Sequence, residues 1–245
     1  MNKPGIYYRI TSFTGKTIIK LTEGCISIFV KDPPVLNPAD FPWAKSLEDN
    51  YETIRADYLS IVNRKLTYDI NEISDEQKKV VDDTKWKFFP LYIYGVPVKE
   101  NIALCPETDR LLQTIPDFTT AFFSILTPGT EIKEHRGAFK GYLRYHLGID
   151  IPKDNQKAGI RILENTYHWQ TGKSLIFDDT FLHEAWNKSD QVRTVLYVDF
   201  IRPMPAPLRW ISRQLTHLIS ASPYVQNALK NLKNKDSREV SRVLG

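Results

Sequence analysis

Apolar residues along the chain follow three successive patterns, first helical, then strand-like, then helical again. Residues 39–62 carry apolar side chains at three- and four-residue spacing, which predicts a helix with a single apolar face. The positions concerned are Leu47, Tyr51, Ile54, Tyr58 and Ile61. Residues 208–220 repeat this spacing and residues 225–232 continue it, so a second helical region is expected near the C-terminal end.

The first forty residues give a weaker pattern. Short β-like runs at 17–20 and 25–29 stand in an otherwise mixed segment. Three prolines fall within residues 31–38, where they remove hydrogen-bond donors and restrict the residue before each, so no regular element is expected there. Residues 69–84 are polar and are expected to form a surface loop.

From Trp86 the pattern becomes that of strands, because aromatic and β-branched residues dominate up to Gly95. A helix is expected at 106–115, with Thr108 as its N-cap. Turn residues then separate a series of short β-runs. These runs are 119–126, 131–135, 141–149, 158–162, 167–169, 174–177 and 192–200. Many short strands with regular turns predict a mainly β protein, a sandwich or jelly roll, with helices on its flanks.

The composition narrows the class of protein. The chain has 245 residues, enough for one large domain, and its net charge of +4 lacks the dense basic signature of nucleic-acid binders. Cys25 and Cys105 form no CxxC or zinc pattern, which favours reduced thiols in the cytoplasm. No segment approaches the ~20 apolar residues of a membrane span, and no signal peptide is evident. The expected location is therefore cytoplasmic, with room for peripheral membrane contact.

Two histidines carry the most informative local motifs. His135 opens His-Arg-Gly, and His183 lies in Phe-Asp-Asp-Thr-Phe-Leu-His-Glu (177–184), with Arg193 ten residues further on. Two histidines on separate β-segments can hold one side of a metal ion, and an arginine on the next strand can hold a dicarboxylate beside it. This is the outline of a non-haem iron oxygenase.

Seven motifs between about residues 85 and 203 occur in the order typical of one enzyme family. They are Cys-Pro-Glu-Thr (105–108), Phe-Ser-Ile-Leu-Thr-Pro-Gly-Thr (123–130), His-Arg-Gly (135–137), Leu-Arg-Tyr-His-Leu-Gly (143–148), Trp-Gln-Thr-Gly-Lys (169–173), Ile-Phe-Asp-Asp-Thr-Phe-Leu-His-Glu (176–184) and Asp-Phe-Ile-Arg-Pro (199–203). The stretch resembles the aspartyl/asparaginyl β-hydroxylase family of Fe(II)/2-oxoglutarate oxygenases, which includes bacterial lipid A acyl-chain hydroxylases.

The resemblance implies a double-stranded β-helix, a jelly-roll or cupin-like fold. It also implies one oxygenase domain over residues 1–203. Within that domain the catalytic core covers about 85–203 and a mixed, partly helical flank covers 1–84. Residues 204–245 would then form a helical extension.

The same resemblance implies a cofactor set of Fe(II) and 2-oxoglutarate, with O₂ as co-substrate. His135 and His183 would bind the metal. Arg193 and Ser124 would bind the distal carboxylate of 2-oxoglutarate, an arginine because its planar fork stays charged and grips a carboxylate at two points. Arg144 and His146 alternate on one predicted strand and so share a face. His146 would contact the cofactor, and Arg144 either the cofactor or the substrate.

The third protein ligand of an ordinary facial triad is missing. The usual Asp or Glu two residues after the first histidine is replaced by Gly137, which leaves an open ligand position. Water would fill it in an aspartyl-hydroxylase-type site, whereas a halide would fill it in an iron halogenase. Asp179, four residues before His183, could hydrogen-bond a metal-bound water in partial compensation, or it could simply form a turn.

Substrate class stays open between two alternatives. One is an acyl chain of lipid A or a related lipid, slightly favoured, with membrane contact through the basic amphipathic segment 208–233. The other is an Asp or Asn side chain in a peptide or a small molecule. A pseudo-enzyme that binds a carboxylate or a partner without turnover is a further alternative. The expected partners are thus a small molecule, lipid or peptide, and no nucleic acid.

Overall fold

Two antiparallel β-sheets that share one hydrophobic core form the centre of the computed structural model, which describes residues 6–70, 85–137, 139–223 and 225–233. The larger sheet has the order β1-β10-β7-β12-β5-β3-β2, with β4 paired to β3. The smaller sheet has the order β6-β11-β8-β9. The strands are β1 (Val35–Leu36), β2 (Tyr68–Asp69), β3 (Trp86–Ile93), β4 (Val96–Pro97), β5 (Phe118–Leu126), β6 (Thr130–His135), β7 (Tyr142–Asp150), β8 (Ala158–Ile162), β9 (Asn165–Tyr167), β10 (Ser174–Phe177), β11 (His183–Asn187) and β12 (Arg193–Ile201). The predicted mainly β, double-stranded β-helix fold with flanking helices is confirmed.

Strand β12 fixes the positions of the polar residues in the large sheet because it pairs with β7 on one side and β5 on the other. Its register places Tyr197 opposite His146 and Asp199 opposite Arg144. Residues two apart on a strand point to the same face. Arg193, Tyr197 and Asp199 therefore share a face of β12 and lie beside the polar positions of β7.

Helices cover the remaining surfaces of the barrel. They are α1 (Ile6–Phe29), α2 (Pro42–Asp49), α3 (Tyr51–Asn63), α4 (Lys99–Ile102), α5 (Pro106–Leu112) and α6 (Ala206–Ser220), and residues 225–233 are also helical. The single helix predicted over 39–62 is two helices, α2 and α3, which meet at Asn50. The predicted face is correct, because Leu47, Ile54, Tyr58 and Ile61 are all buried in the core.

The first long element was predicted wrongly. The runs at 17–20 and 25–29 are not strands but parts of the helix α1. Thr22 and Ile26 are buried four residues apart, and Ile19 packs with them on the barrel side. The β-propensity of the isoleucine-rich runs is overridden here because packing of one helix face contributes more than local preference.

Three smaller expectations also differ from the structure. Strand β11 was absent from the predicted strands, although it carries His183. The run expected at 167–169 is β9, two residues earlier. Residues 71–84, most of the loop predicted at 69–84, lie outside the described residues, while Tyr68–Asp69 form the edge strand β2.

Thr108 does not cap α5. The helix begins after Cys105, and Thr108 lies inside it, buried, with its backbone N–H and its hydroxyl both donating to the Asp57 carboxylate at 2.8 and 2.7 Å. One carboxylate oxygen on α3 thus satisfies two donors on α5 and ties the two helices together.

Asp57→Ala is expected to lower the free energy of unfolding by about 1–3 kcal/mol, because it leaves the two donors of buried Thr108 without an acceptor. The matched control is Asp49→Ala, whose carboxylate pairs only with exposed Lys45 on the surface and should change stability by less than about 0.5 kcal/mol. Urea denaturation followed by circular dichroism measures both. Equal stability of the two variants would mean that this contact does not join the helices.

Candidate metal and carboxylate site

His135 and His183 lie side by side at the ends of paired strands. His135 ends β6 and His183 begins β11, and the two residues are direct partners in the register of the small sheet. Their ring centroids are 4.3 Å apart. The antiparallel pairing therefore brings together two imidazoles that are 48 positions apart in the sequence.

Each of these imidazoles is held by its own backbone. Nδ1 of His135 lies 2.7 Å from the Lys133 carbonyl oxygen, and Nδ1 of His183 lies 2.8 Å from the Phe181 carbonyl oxygen. A carbonyl oxygen only accepts, so each Nδ1 carries the proton and each Nε2 presents a lone pair. This is the tautomer that a metal-binding histidine needs.

Burial keeps both rings neutral. It lowers the pKa of His183 to about 3, and the neighbouring charges of His135 and Arg144 act in the same direction. Burial also lowers the pKa of His135. Both rings are thus uncharged at neutral pH, with the proton on Nδ1, and Nε2 can act as a metal ligand. Among the residues that the structure describes, no cluster of three or more His, Cys, Asp or Glu side chains is placed to hold a metal ion.

Asp179 occupies the space beside Gly137. The Gly137 N–H donates to the Asp179 backbone oxygen at 2.7 Å, and a Cβ placed on Gly137 would lie only 2.1 Å from the Asp179 carboxyl carbon. A side chain at 137 therefore requires the Asp179 carboxylate to move. The position that the sequence leaves open at Gly137 is filled sterically by a carboxylate from the loop before β11.

Arg144 is surrounded by carboxylates of the protein itself. Its guanidinium lies 2.7 Å from Asp179 and binds Asp199 through two N–H groups at 2.9 and 3.2 Å. It also stacks over the ring of Tyr197, whose hydroxyl donates to Asp199 at 3.0 Å. Burial raises the pKa of Asp179 to about 6, although the charge of Arg144 opposes this effect.

Arg193 is buried without a carboxylate. Its guanidinium lies 4.4 Å above the ring of Trp169, and one Nη donates weakly to the Ser124 carbonyl at 3.3 Å. Its Nε–H is buried and has no partner. Burial lowers the pKa of Arg193 to about 9, which measures how poorly its charge is solvated.

His146 and Ser124 provide two more hydrogen-bond donors in the region of Arg193. The Trp169 indole N–H donates to His146 Nδ1 at 3.3 Å, so the proton of the neutral ring lies on Nε2, which is buried and unpartnered. The Trp86 indole N–H donates to the Ser124 hydroxyl oxygen at 3.1 Å, which leaves the hydroxyl hydrogen available. Burial and the nearby charge of Arg193 lower the pKa of His146.

Phe177 joins the two halves of the site. Its ring packs edge-on against His146 at 5.2 Å and against His183 at 5.9 Å between centroids. The metal-type histidine pair and the donors around Arg193 therefore border one apolar wall. A ligand that coordinates beside His183 could at the same time reach the cation.

The loop before β11 is held by a second buried ion pair. Asp178 is fully buried, pairs with buried Arg202, and accepts from the Thr180 N–H at 2.8 Å and the Thr180 hydroxyl at 2.6 Å. These contacts give Asp178 a structural role. It fixes the turn that carries Asp179 into place next to Gly137.

All eight residues predicted for the site lie in this one region, whereas the other histidines do not. His168 bonds to the Ala158 carbonyl oxygen at 3.0 Å, and His217 is exposed on α6. Sequence reasoning missed Trp169, Tyr197 and Asp199 as members of the site. Strand alternation from Arg193 could have indicated Tyr197 and Asp199, since both lie at even spacing from it on β12.

The donor set suits a dicarboxylate next to a divalent metal. Two neutral imidazole nitrogens are available as metal ligands, and three buried donors on Arg193, His146 and Ser124 are available to carboxylate oxygens. An unpaired buried cation is costly unless an anion binds it. The residues present therefore fit a metal ion together with a small anionic cofactor.

Comparisons with known proteins identify the family. The family model described as aspartyl/asparaginyl beta-hydroxylase matches residues 48–203. An ornithine lipid ester-linked acyl 2-hydroxylase of Rhizobium tropici is 41% identical over 208 residues, 84% of this chain and 74% of that protein. The human aspartyl/asparaginyl beta-hydroxylase is 34% identical over 168 residues, 66% of this chain but 21% of that protein.

Among solved structures, a Pseudomonas putida prolyl-4-hydroxylase overlaps with a TM-score of 0.43 at 14% identity, covering 66% of this chain and 99% of that one. No conclusion rests on that overlap. The extent of the family match and the identity to the Rhizobium protein together show that this chain belongs to the aspartyl/asparaginyl beta-hydroxylase family.

Proposed function

We propose that this protein is an Fe(II)- and 2-oxoglutarate-dependent hydroxylase that acts on the acyl chain of a polar lipid. The observation that carries the proposal is the juxtaposition of two neutral imidazoles, His135 and His183, with a buried arginine, Arg193, that has no carboxylate partner. Bound Fe(II) and 2-oxoglutarate supply, with O₂, the oxidising power for hydroxylation of an unactivated C–H bond, and the cosubstrate leaves as succinate and CO₂.

Each residue of the site has a defined task in this proposal. His135 and His183 hold the metal on one side, and their Nδ1–H bonds to backbone carbonyls keep the rings oriented. Arg193, with the hydroxyl of Ser124, binds the distal carboxylate of the cosubstrate, and His146 donates to a carboxylate oxygen. The Trp169 ring stacks on the Arg193 guanidinium, and the Trp169 indole N–H donates to His146.

Water is excluded from this region by the core itself. Phe177 and Trp169 are buried, and Tyr197 stacks on Phe122 behind the Arg144 side of the site. In such a setting, charge-assisted hydrogen bonds are stronger than in water, and a reactive oxidant meets few competing groups. The apolar walls also suit a hydrocarbon substrate.

Electrostatics around Arg144 favour a lipid over an Asp side chain. Arg144 was the residue expected to meet the cofactor or the substrate, yet Asp179 and Asp199 already match its charge. A substrate carboxylate would approach one cation that is flanked by two internal carboxylates, which costs Coulomb energy in a poorly solvated site. An ester-linked acyl chain carries no such charge. The likeness to the Rhizobium acyl 2-hydroxylase supports the same choice.

The third metal position is proposed to take water rather than halide. The carboxylate of Asp179 fills the space beside Gly137, so an anion bound there would face a second anion at short range. A water molecule can instead donate a hydrogen bond to that carboxylate. Asp179 then acts on the metal through the water, as proposed from its place four residues before His183.

The proposed setting is the cytoplasmic side of a membrane. None of the helices in the described parts of the chain is both long and apolar enough to cross a bilayer. Contact with lipid would then be peripheral. A pseudo-enzyme is disfavoured because a scaffold has no use for a buried arginine, an orphan histidine donor and a metal-type histidine pair in one place.

Removing either histidine ligand is expected to abolish metal binding. His135→Ala and His183→Ala should each lose Fe(II) binding and all succinate formation, because two side-chain ligands leave no redundancy. Anaerobic equilibrium dialysis with Fe(II) and a succinate assay measure the two effects. His217→Ala, at an exposed histidine on α6, is the control and should behave as wild type. Full turnover in either ligand variant would remove these residues from the metal site.

Loss of the buried arginine is expected to weaken cosubstrate binding. Arg193→Ala should raise the dissociation constant for 2-oxoglutarate by roughly thirtyfold or more, since losing one partner of a buried charge pair costs ~2–5 kcal/mol. Arg193→Lys should recover only part, because the planar fork is lost. Anaerobic titration measures both, and exposed Arg110→Ala serves as the control. An unchanged affinity in Arg193→Ala would refute this role.

A substrate screen tests the reaction itself. With Fe(II), 2-oxoglutarate and O₂, polar acyl lipids should give succinate together with a product heavier by one oxygen, whereas Asp and Asn peptides should give neither. His183→Ala protein is the blank. Turnover of peptides alone would favour the Asp/Asn alternative. A chlorinated product in the presence of chloride would identify a halogenase, and intact cofactor binding without turnover of any substrate would indicate a pseudo-enzyme.

A further inference from the structure

Helix α1 exposes three large apolar side chains between residues 21 and 29. Its inner side packs on the barrel through Thr22 and Ile26, which are almost fully buried. Leu21 and Ile28 lie on the opposite side and are 67% and 77% exposed, and Phe29 at the end of the helix is 69% exposed. Single exposed apolar residues are ordinary, but three on one helix call for an explanation.

Helix α6 also exposes large apolar side chains. Its inner side is buried through Leu208 and Leu215, while Trp210 and Leu218 face outward. The sequence predicts membrane contact through residues 208–233, and in α6 only the outward side is exposed for such contact. Six large hydrophobic side chains are exposed among the described residues, and all but Val62 lie on α1 or α6.

These two helices are neighbours. They pack against each other, and Ile19 of α1 joins Leu215 of α6 in one small apolar cluster with Phe139 and Tyr142. Two helices in direct contact therefore carry five of the exposed large apolar side chains. We call the set Leu21, Ile28, Phe29, Trp210 and Leu218 the apolar face.

Basic residues accompany the apolar face. Helix α1, helix α6 and residues 225–233 together contain seven Lys and Arg and a single acid, Glu23, in a chain whose net charge is only +4. The rest of the chain thus holds slightly more acidic than basic residues. Lys20 and Lys230 are exposed, whereas Arg209 and Arg213 are partly neutralised by their ion pairs with Asp117.

We propose that the apolar face is a docking surface for an anionic lipid bilayer. Apolar residues that insert at the acyl boundary, a tryptophan at headgroup level and lysines around them are the composition that binds such surfaces. A second copy of the chain is the weaker candidate, because two like-charged basic surfaces would have to meet. The proposal rests on the lipid substrate proposed above, since it presents the enzyme to the membrane that would hold that substrate.

The docking surface is connected to the metal site through the inner side of α1. The Glu23 carboxylate accepts the Lys140 backbone N–H at 3.2 Å, and Ile19 packs with Phe139. Lys140 in turn lies 5.8 Å over the ring of Phe181, whose carbonyl orients His183. Phe139 and Lys140 therefore contact α1, and Lys140 also contacts the loop that leads to His183. Docking through α1 brings a bilayer close to these two residues.

Vesicle co-sedimentation of the full chain tests the proposal without any catalysis. Vesicles of phosphatidylcholine alone are compared with vesicles that also contain phosphatidylglycerol, and no Fe(II) or 2-oxoglutarate is added, so that binding is measured without turnover. Wild type should bind the anionic vesicles, more weakly as salt rises. The combined variant Leu21→Ser, Ile28→Ser and Phe29→Ser should bind about tenfold or more weakly, because the inserted apolar area is removed. Val62→Ser, the exposed apolar residue on α3, should bind as wild type.

A charge variant separates the two contributions. Lys20→Glu with Lys230→Glu should weaken binding at low salt only, whereas Lys153→Glu, outside the docking surface, should not. Circular dichroism and light scattering of each variant check the fold and the oligomeric state. The proposal is overturned if wild type does not bind anionic vesicles, or if the triple serine variant binds equally well. It is also overturned if that variant instead converts a dimer to a monomer. Cofactor titration is independent of all these results, so failure here leaves the proposed reaction standing.

Discussion

Three arginines of the described part of the chain, Arg144, Arg193 and Arg202, are buried or nearly so, and the difference between their partners organises the site. Arg202 pairs with buried Asp178, and Arg144 pairs with Asp179 and Asp199, so both charges are matched by the fold itself. Arg193 has only a tryptophan ring and one weak bond to a carbonyl oxygen. A buried charge without a partner costs several kcal/mol. In the proposed holoenzyme the carboxylate of the cosubstrate provides the missing partner, so the cost of burying Arg193 is recovered only on binding.

The two matched arginines position what surrounds the third. Arg202 and Asp178 fix the turn before β11, and this turn sets both Asp179 and the carbonyl of Phe181 that orients His183. Arg144 then holds the Asp179 carboxylate in the space beside Gly137. A glycine is required at 137 for this arrangement, because any Cβ would overlap that carboxylate. Gly137, which provides no carboxylate, and the position of the Asp179 carboxylate therefore depend on each other.

The helices on the surface of the molecule also differ in how completely their apolar residues are buried. Helices α2 and α3 bury most of their apolar residues in the core, with Val62 as their one exposed large hydrophobic side chain. Helices α1 and α6 bury one side and leave an apolar second side with basic neighbours. If that side meets a bilayer, the enzyme would draw its substrate from the surface on which it rests, and the site would need no large opening to water.

The sequence by itself determined the β-rich centre and the amphipathic helices around it, and it predicted eight residues that the fold brings into one region. Those features follow from spacing along the chain and from short motifs, such as His-Arg-Gly at 135–137, that keep their order. It did not determine that α1 is a helix, since Ile-rich runs suit a strand equally well and only packing of Ile26 on the barrel decides between them. Nor could it show that Asp179 fills the space beside Gly137, that Arg144 is already neutralised, or that Trp169 holds both Arg193 and His146. These facts join residues from different strands, and their distances exist only once the register of β7, β11 and β12 is set by the folded core.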